Sequence, residues 1–169
     1  MKNREQGLFL VEFAIIAVVL FILLFALIEL ARIIWIWNTA DEATRRGARV
    51  AAVCPINHPA VPEATIFAQA GSGGPSPILR NLTTNNVEVK YLDANGDDED
   101  TFGDIKYVRV SLVNYTVTPL IPFINTTFTL PDFETTIPSE SLGLLPDPDN
   151  PAAAPVCSCF GTATACQPS

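Results

Sequence analysis

Two kinds of hydrophobic pattern divide this chain. From Leu8 to Trp37 apolar residues run almost without a break, with Glu12, Glu29 and Arg32 as the only charged positions. Beyond Cys54 they alternate with polar residues or cluster between prolines, glycines and acids. The stretch from Leu8 to Ile28 alone would measure about 31 Å as a helix, which matches the hydrocarbon thickness of a bilayer. Later apolar patches are too short, because Pro119, Pro122 and Pro146 interrupt or end them. The pattern predicts one membrane-spanning helix over residues 8–37, behind a short polar leader over residues 1–7. Trp35 and Trp37 suit the headgroup level, where amphipathic rings settle.

Helical spacing continues past the span, over residues 38–54. Asp41 and Arg45, and Glu42 and Arg46, lie four apart with the acid first, the favourable order for pairing on a helix surface. On another face Ala43, Gly47 and Ala51 recur every fourth residue, a stripe that lets a second helix or a sheet approach closely. The same stripe also suits a helix lying on its own globular domain. Thr39-x-x-Glu42 fits a capping box, which would start a fresh helix near Asn38. Cys54-Pro55 ends the helix, since the residue before proline disfavours the helical region.

Residues 55–137 read as a small exterior domain rich in strand. Gly71-Ser72-Gly73-Gly74-Pro75 marks loop, with a short helix expected near Ala64 to Ala70. Val87, Val89 and Tyr91 alternate with Glu88, Lys90 and Leu92, and Val108, Val110 and Leu112 alternate with Tyr107, Arg109 and Ser111. Both have the period of a half-buried strand, and together they predict a hairpin closed by an acidic loop. Tyr115 to Val117, Thr126 to Leu130 and Phe133 to Ile137 are further strand candidates. A proline-rich tail over residues 138–169 lacks periodicity and is expected to be extended. The fold class is therefore α+β: a long N-terminal helix, a small antiparallel β-rich domain, and a tail carrying cysteines.

Charge gives the molecule a direction. Lys2 and Arg4 precede the span, whereas after Cys54 the bases are only Arg80, Lys90, Lys106 and Arg109 among many acids. Positive residues resist translocation, so the N-terminus is expected on the cytoplasmic side, although Arg45, Arg46 and Arg49 lessen the asymmetry. A net charge of −8 argues against nucleic acid as a partner, since phosphate recognition needs a basic surface.

Four cysteines, Cys54, Cys157, Cys159 and Cys166, form an even set in an exported domain and read as a disulfide framework. A bond from Cys54 to any of the other three would tie the tail to the helix end. Zinc is the competing use, but the sole histidine is His58 and no fourth ligand lies nearby. The loop from Asp93 to Asp104 sets oxygen ligands at Asp93, Asn95, Asp97 and Asp104, an echo of a calcium loop. Its glycine, Gly96, falls at the fourth position, Asp104 stands where a bidentate glutamate is usual, and a solvated acidic hairpin tip fits the same residues. Neither a nucleophile-base grouping nor a glycine-rich phosphate loop is present, so no enzyme is expected.

Glu12 is the sharpest chemical feature. A carboxylate inside a membrane segment costs about 2.5–3.5 kcal/mol on insertion scales and so usually has a role. The leader, Gly7, Leu8 and Glu12 together resemble the processing site of type IV pilin precursors, which a membrane peptidase cuts after the glycine. Val11-Glu12-Phe13-Ala14, Ile28-Glu29-Leu30-Ala31-Arg32 and Ala43-Thr44-Arg45-Arg46-Gly47-Ala48-Arg49-Val50-Ala51-Ala52-Val53 resemble the TadE family, minor pilins of the tight-adherence (Tad/Flp) machinery. The resemblance covers about the first third of the chain. It implies cleavage between Gly7 and Leu8, a role for Glu12 in subunit register, and a structural function in assembling an adhesive pilus. It also implies as partners the prepilin peptidase, other pilin subunits and an inner-membrane assembly platform, with the exterior domain in the periplasm or on the cell surface. The competing expectation is an uncut, single-span envelope protein that presents its acidic domain, with or without calcium, to a ligand.

Overall fold

In the computed structural model, residues 2–69, 71–120, 126–145, 156–159 and 162–165 are described. Helix α1 runs unbroken from Lys2 to Val53. Its 52 residues reach about 78 Å at about 1.5 Å per residue. Thr39 does not cap a new helix: its hydroxyl donates to the Trp35 carbonyl one turn back, at 2.8 Å. No glycine or proline interrupts residues 8–46, and extending a helix is far easier than nucleating a second one. The Asp41–Arg45 pair forms at 2.9 Å. The pair expected between Glu42 and Arg46 is replaced, because the Arg46 guanidinium lies 5.4 Å from the centroid of the Phe67 ring.

Helix α2 spans Ala60–Thr65, four residues earlier than the spacing suggested. Pro59 presets the first turn with φ −63°, and His58 Nδ1 accepts the Ala60 N–H at 3.2 Å. Phe67, with φ +61°, turns the chain away.

The expected hairpin is present. Strand β1 (Val87–Leu92) pairs antiparallel with β2 (Tyr107–Leu112), which pairs in turn with β5 (Phe133–Pro138). Val89, Val110 and Thr135 stand side by side across this sheet. Alternation fails only at the end of β1, where Tyr91 and Leu92 are both buried. There the connection folds back through a Leu92–Asp98 bridge and a bond from the Lys106 N–H to the Leu92 carbonyl. Between β2 and β5 lies a two-stranded ribbon, β3 (Thr116–Val117) with β4 (Phe128–Thr129).

Part of the tail is ordered, contrary to the extended segment expected. β6 (Leu144–Leu145), β7 (Val156–Cys159) and β8 (Thr162–Ala165) form a second antiparallel sheet. It is held to α1 by a Cys54–Cys159 disulfide, with Cα atoms 5.1 Å apart. The Glu140 and Leu142 N–H groups both donate to the Ala52 carbonyl, at 3.1 and 3.2 Å, and so satisfy an acceptor that the helix end leaves free. At Gly143 (φ +83°) an added Cβ would stand 2.6 Å from Pro55 Cδ, so only glycine fits this turn.

The domain packs on one side of the second half of α1 in two clusters. Ile36, Ala40 and Ala43 meet Ile66, Leu79, Leu112, Tyr115 and Phe133 nearer the apolar end of the helix. Ala48, Ala51 and Cys54 meet Val61, Tyr91, Val108, Val110 and Cys159 farther out.

Candidate functional site

From Phe9 to Ile28 the helix is bare. Its large apolar side chains are exposed, and it opens the helical segment Phe9–Val53, which is long and apolar enough to cross a membrane. Glu12 sits among exposed Phe9, Leu10, Val11 and Phe13, and among the described residues it has no hydrogen-bond or ion-pair partner. Gly7 and Leu8 lie on the same helix backbone. Four residues of helix rise separate Leu8 from Glu12, about 6 Å.

Immediately after the bare stretch the character changes. Glu29 is only 7 % exposed and makes a two-pronged contact with Arg32, from Nε to Oε2 at 3.1 Å and from Nη2 to Oε1. Both partners also hold the exterior domain. Arg32 Nη2 donates to the Thr118 carbonyl at 2.9 Å, and Glu29 Oε2 accepts the Leu120 N–H at 3.4 Å. Glu29 and Arg32, three apart and so on one helix face where they can neutralise each other, thus also clamp the end of β3 to the helix. Sequence gave no sign of this, because the contacts join residues 86 and 91 positions apart.

The clamp lies inside the expected 8–37 span, whose outward face stays exposed at Leu30, Ile34 and Trp35. Trp35 lines a groove of about 690 Å³ with Arg32, Ile78, Arg80, Tyr115 and Leu120. Trp37 stands edge-on to Phe133, with ring centroids 5.0 Å apart. Trp37 therefore belongs to the domain contact as well as to the exposed surface. Tyr115 donates its hydroxyl to the Arg80 carbonyl at 3.0 Å, and burial pushes its pKa up.

The small-residue stripe is used inside the chain. Ala43 and Ala51 are fully buried, and Gly47 faces Thr65 of α2. A Cβ on Gly47 would overlap the Thr65 hydroxyl and stand 3.0 Å from its Cβ. Thr65 is itself buried and donates to the Val61 carbonyl at 2.8 Å. The approach that needs glycine is thus between α1 and α2 of one molecule.

Of the disulfide candidates, Cys54 and Cys159 are joined. Cys157 lies in β7 and Cys166 falls outside the described residues.

The acidic loop is organised around Asp93. Its Oδ1 accepts the Asn95 and Asp97 N–H groups at 2.7 and 2.9 Å, and its Oδ2 accepts the Asn95 side-chain amide at 2.8 Å. The Asp97 amide, with those of Asn95, holds the Asp93 carboxyl below its ordinary pKa. Of the four residues of the calcium pattern, Asp93 thus has both carboxylate oxygens engaged within the turn, and Asn95 contributes N–H groups there. Among the described residues no group of three or more His, Cys, Asp or Glu side chains is placed to hold a metal.

Residues 7–49 match the family model described as TadE-like protein, which supports a TadE-like pilin of the Tad pilus system. The match begins at the glycine of the processing pattern and ends within the arginine cluster. No curated protein and no solved structure matches the chain.

Proposed function

We propose that this protein is a minor pilin, or pseudopilin, that assembles an adhesive Tad-type pilus after a prepilin peptidase removes residues 1–7. Hydrolysis of the Gly7–Leu8 bond leaves a carboxylate on the released leader and a free amine on Leu8. That amine is charged at neutral pH and lies one helical turn from Glu12. In a low-dielectric bundle the two charges attract strongly and each offsets the burial cost of the other, within one helix or between neighbouring subunits. Made between subunits, the contact sets register, because misaligned subunits would leave both charges unpaired.

The observation that carries this reading is Glu12: an exposed carboxylate, without a partner among the described residues, on a bare apolar helix inside the segment that is TadE-like. The Cys54–Cys159 bond supports placing the domain on the oxidising, periplasmic side of the inner membrane, with the N-terminus in the cytoplasm. Partners on this reading are the prepilin peptidase, other pilin subunits and the inner-membrane assembly platform. Mass spectrometry of the protein extracted from cells tests it. A mature chain that starts at Leu8 is the expected result. An intact Met1 in a host with active peptidase would favour an uncut, single-span binding module.

A further inference from the structure

The groove beside Trp35 opens at the level where the bare helix ends, and its surroundings are apolar. Leu120 is 64 % exposed, Phe128 is 54 % exposed, and Ile78 is also exposed. Leu120 and Ile78 line the groove itself, while Phe128 lines a smaller, almost wholly apolar cavity of about 240 Å³ with Glu29, Arg32 and Ile33. Exposed large apolar residues of the described part of the domain are few, and these three sit together against residues 29–36 of α1.

The height of Leu120 is fixed by a hydrogen bond. The Leu120 N–H is bonded to Glu29, one residue past Ile28 and so about 1.5 Å farther along the helix axis. The headgroup region adds about 5–7 Å beyond the hydrocarbon on each side of a bilayer. If Phe9 to Ile28 fills the hydrocarbon, Leu120 stands at its edge. Arg32, four residues past Ile28 and so about 6 Å farther along the helix axis, then falls at the level of the lipid phosphates, and Arg80 lines the same groove. Charge is distributed to match. The acids Asp93, Asp97, Asp98, Glu99, Asp100 and Asp104 occupy the hairpin connection beyond Tyr91 and Leu92, and Tyr91 belongs to the outer cluster.

We infer that this face of the exterior domain docks on the bilayer surface, with Leu120, Phe128 and Ile78 seated among the lipid headgroups. The Glu29–Arg32 clamp holds the domain down at that depth. A phospholipid surface is the occupant because the face continues the apolar surface of the helix without a gap. The inference rests on the reading that Phe9–Ile28 spans the membrane.

The test places the photoreactive residue p-benzoylphenylalanine at positions 21, 102, 120 or 128 of the full-length chain, in phosphatidylethanolamine–phosphatidylglycerol vesicles. All four native residues are exposed, and an intact Cys54–Cys159 bond reports folding in each variant. After illumination, lipid adducts are counted by mass spectrometry. Adduct yields at 120 and 128 are expected to approach that at 21 and to exceed that at 102, on the acidic connection, by about tenfold. Adducts at 21 with none above the level of 102 at positions 120 and 128 would overturn the inference and leave the membrane span standing. So would crosslinks from 120 and 128 to a second copy of the chain in place of lipid. Absence of lipid adducts at 21 would remove the span and the docking together.

Discussion

The two halves of α1 share one backbone and meet different surroundings. Between Phe9 and Ile28 the side chains are mostly large, branched or aromatic, and exposed. Between Ile36 and Cys54 the buried positions are mostly Ala40, Ala43, Gly47, Ala48, Ala51 and Ala52. Bulky residues suit a surface that meets lipid or neighbouring subunits, where shape can adjust. Small residues suit a surface fixed against one partner, because they let backbones approach closely. Glu29 and Arg32 mark the change, with the last polar contact to the domain on one side and bare helix on the other. A helix propensity scale would not separate the two halves, since both are built from residues that tolerate helix.

If the outer half is the structural anchor, its staple is the costliest contact to remove. Cys54→Ser breaks a link across 105 residues, and losing such a bond from a small exported domain costs about 2–5 kcal/mol. Guanidinium unfolding of the detergent-solubilised chain should show this as a lower midpoint for the domain, with the helical signal of the bare half unaltered. An equal loss in both signals would show that the halves are not separate.

A smaller effect is expected at Gly47. Alanine there raises helix propensity by about 1 kcal/mol, yet its Cβ overlaps Thr65, and overpacking typically costs about 1–3 kcal/mol. Gly47→Ala should therefore destabilise the domain, and Thr65→Ala in the same chain should recover most of the loss. Ala14→Leu, in the bare half, should leave the domain midpoint within about 0.5 kcal/mol of the parent. If Gly47→Ala stabilises the domain instead, the close approach of α1 and α2 is not what selects glycine.

Much of this division could be read in the sequence. The uninterrupted apolar run, the two alternating segments of the hairpin, β5 and the four-residue spacing of small side chains each reflect a local period, and each appears in the fold. What could not be read depends on distant partners. Spacing offers Arg32 the carboxylate of Glu29, three residues back, and nothing near it in sequence announces the Thr118 carbonyl. Arg46 was assigned to Glu42 by spacing, but Phe67 offers its ring from across the α2 turn. Thr39 shows a signal present but overruled: its hydroxyl can cap a helix or bond one turn back, and an unbroken helix selects the second. In the acidic loop the side chain of Asp93 likewise finds partners that spacing does not announce, the amides of its own turn. The tail sheet was hidden because its strands are short, proline-flanked, and joined to α1 through Cys159. For the candidate site, Glu12 was legible as a lone acid in an apolar run. The clamp that fixes the domain's height above it was not.

The central claim is that the bare half assembles subunits while the outer half only holds the domain. Counting surface fibres by electron microscopy on cells carrying Glu12→Ala, in parallel with Cys54–Cys159 bond formation in the same protein, tests it most directly. The expected result is a cleaved, disulfide-bonded protein at parental abundance and a loss of fibres or of its place in them. Fibres as numerous as in the parent, containing the variant at parental levels, would contradict it.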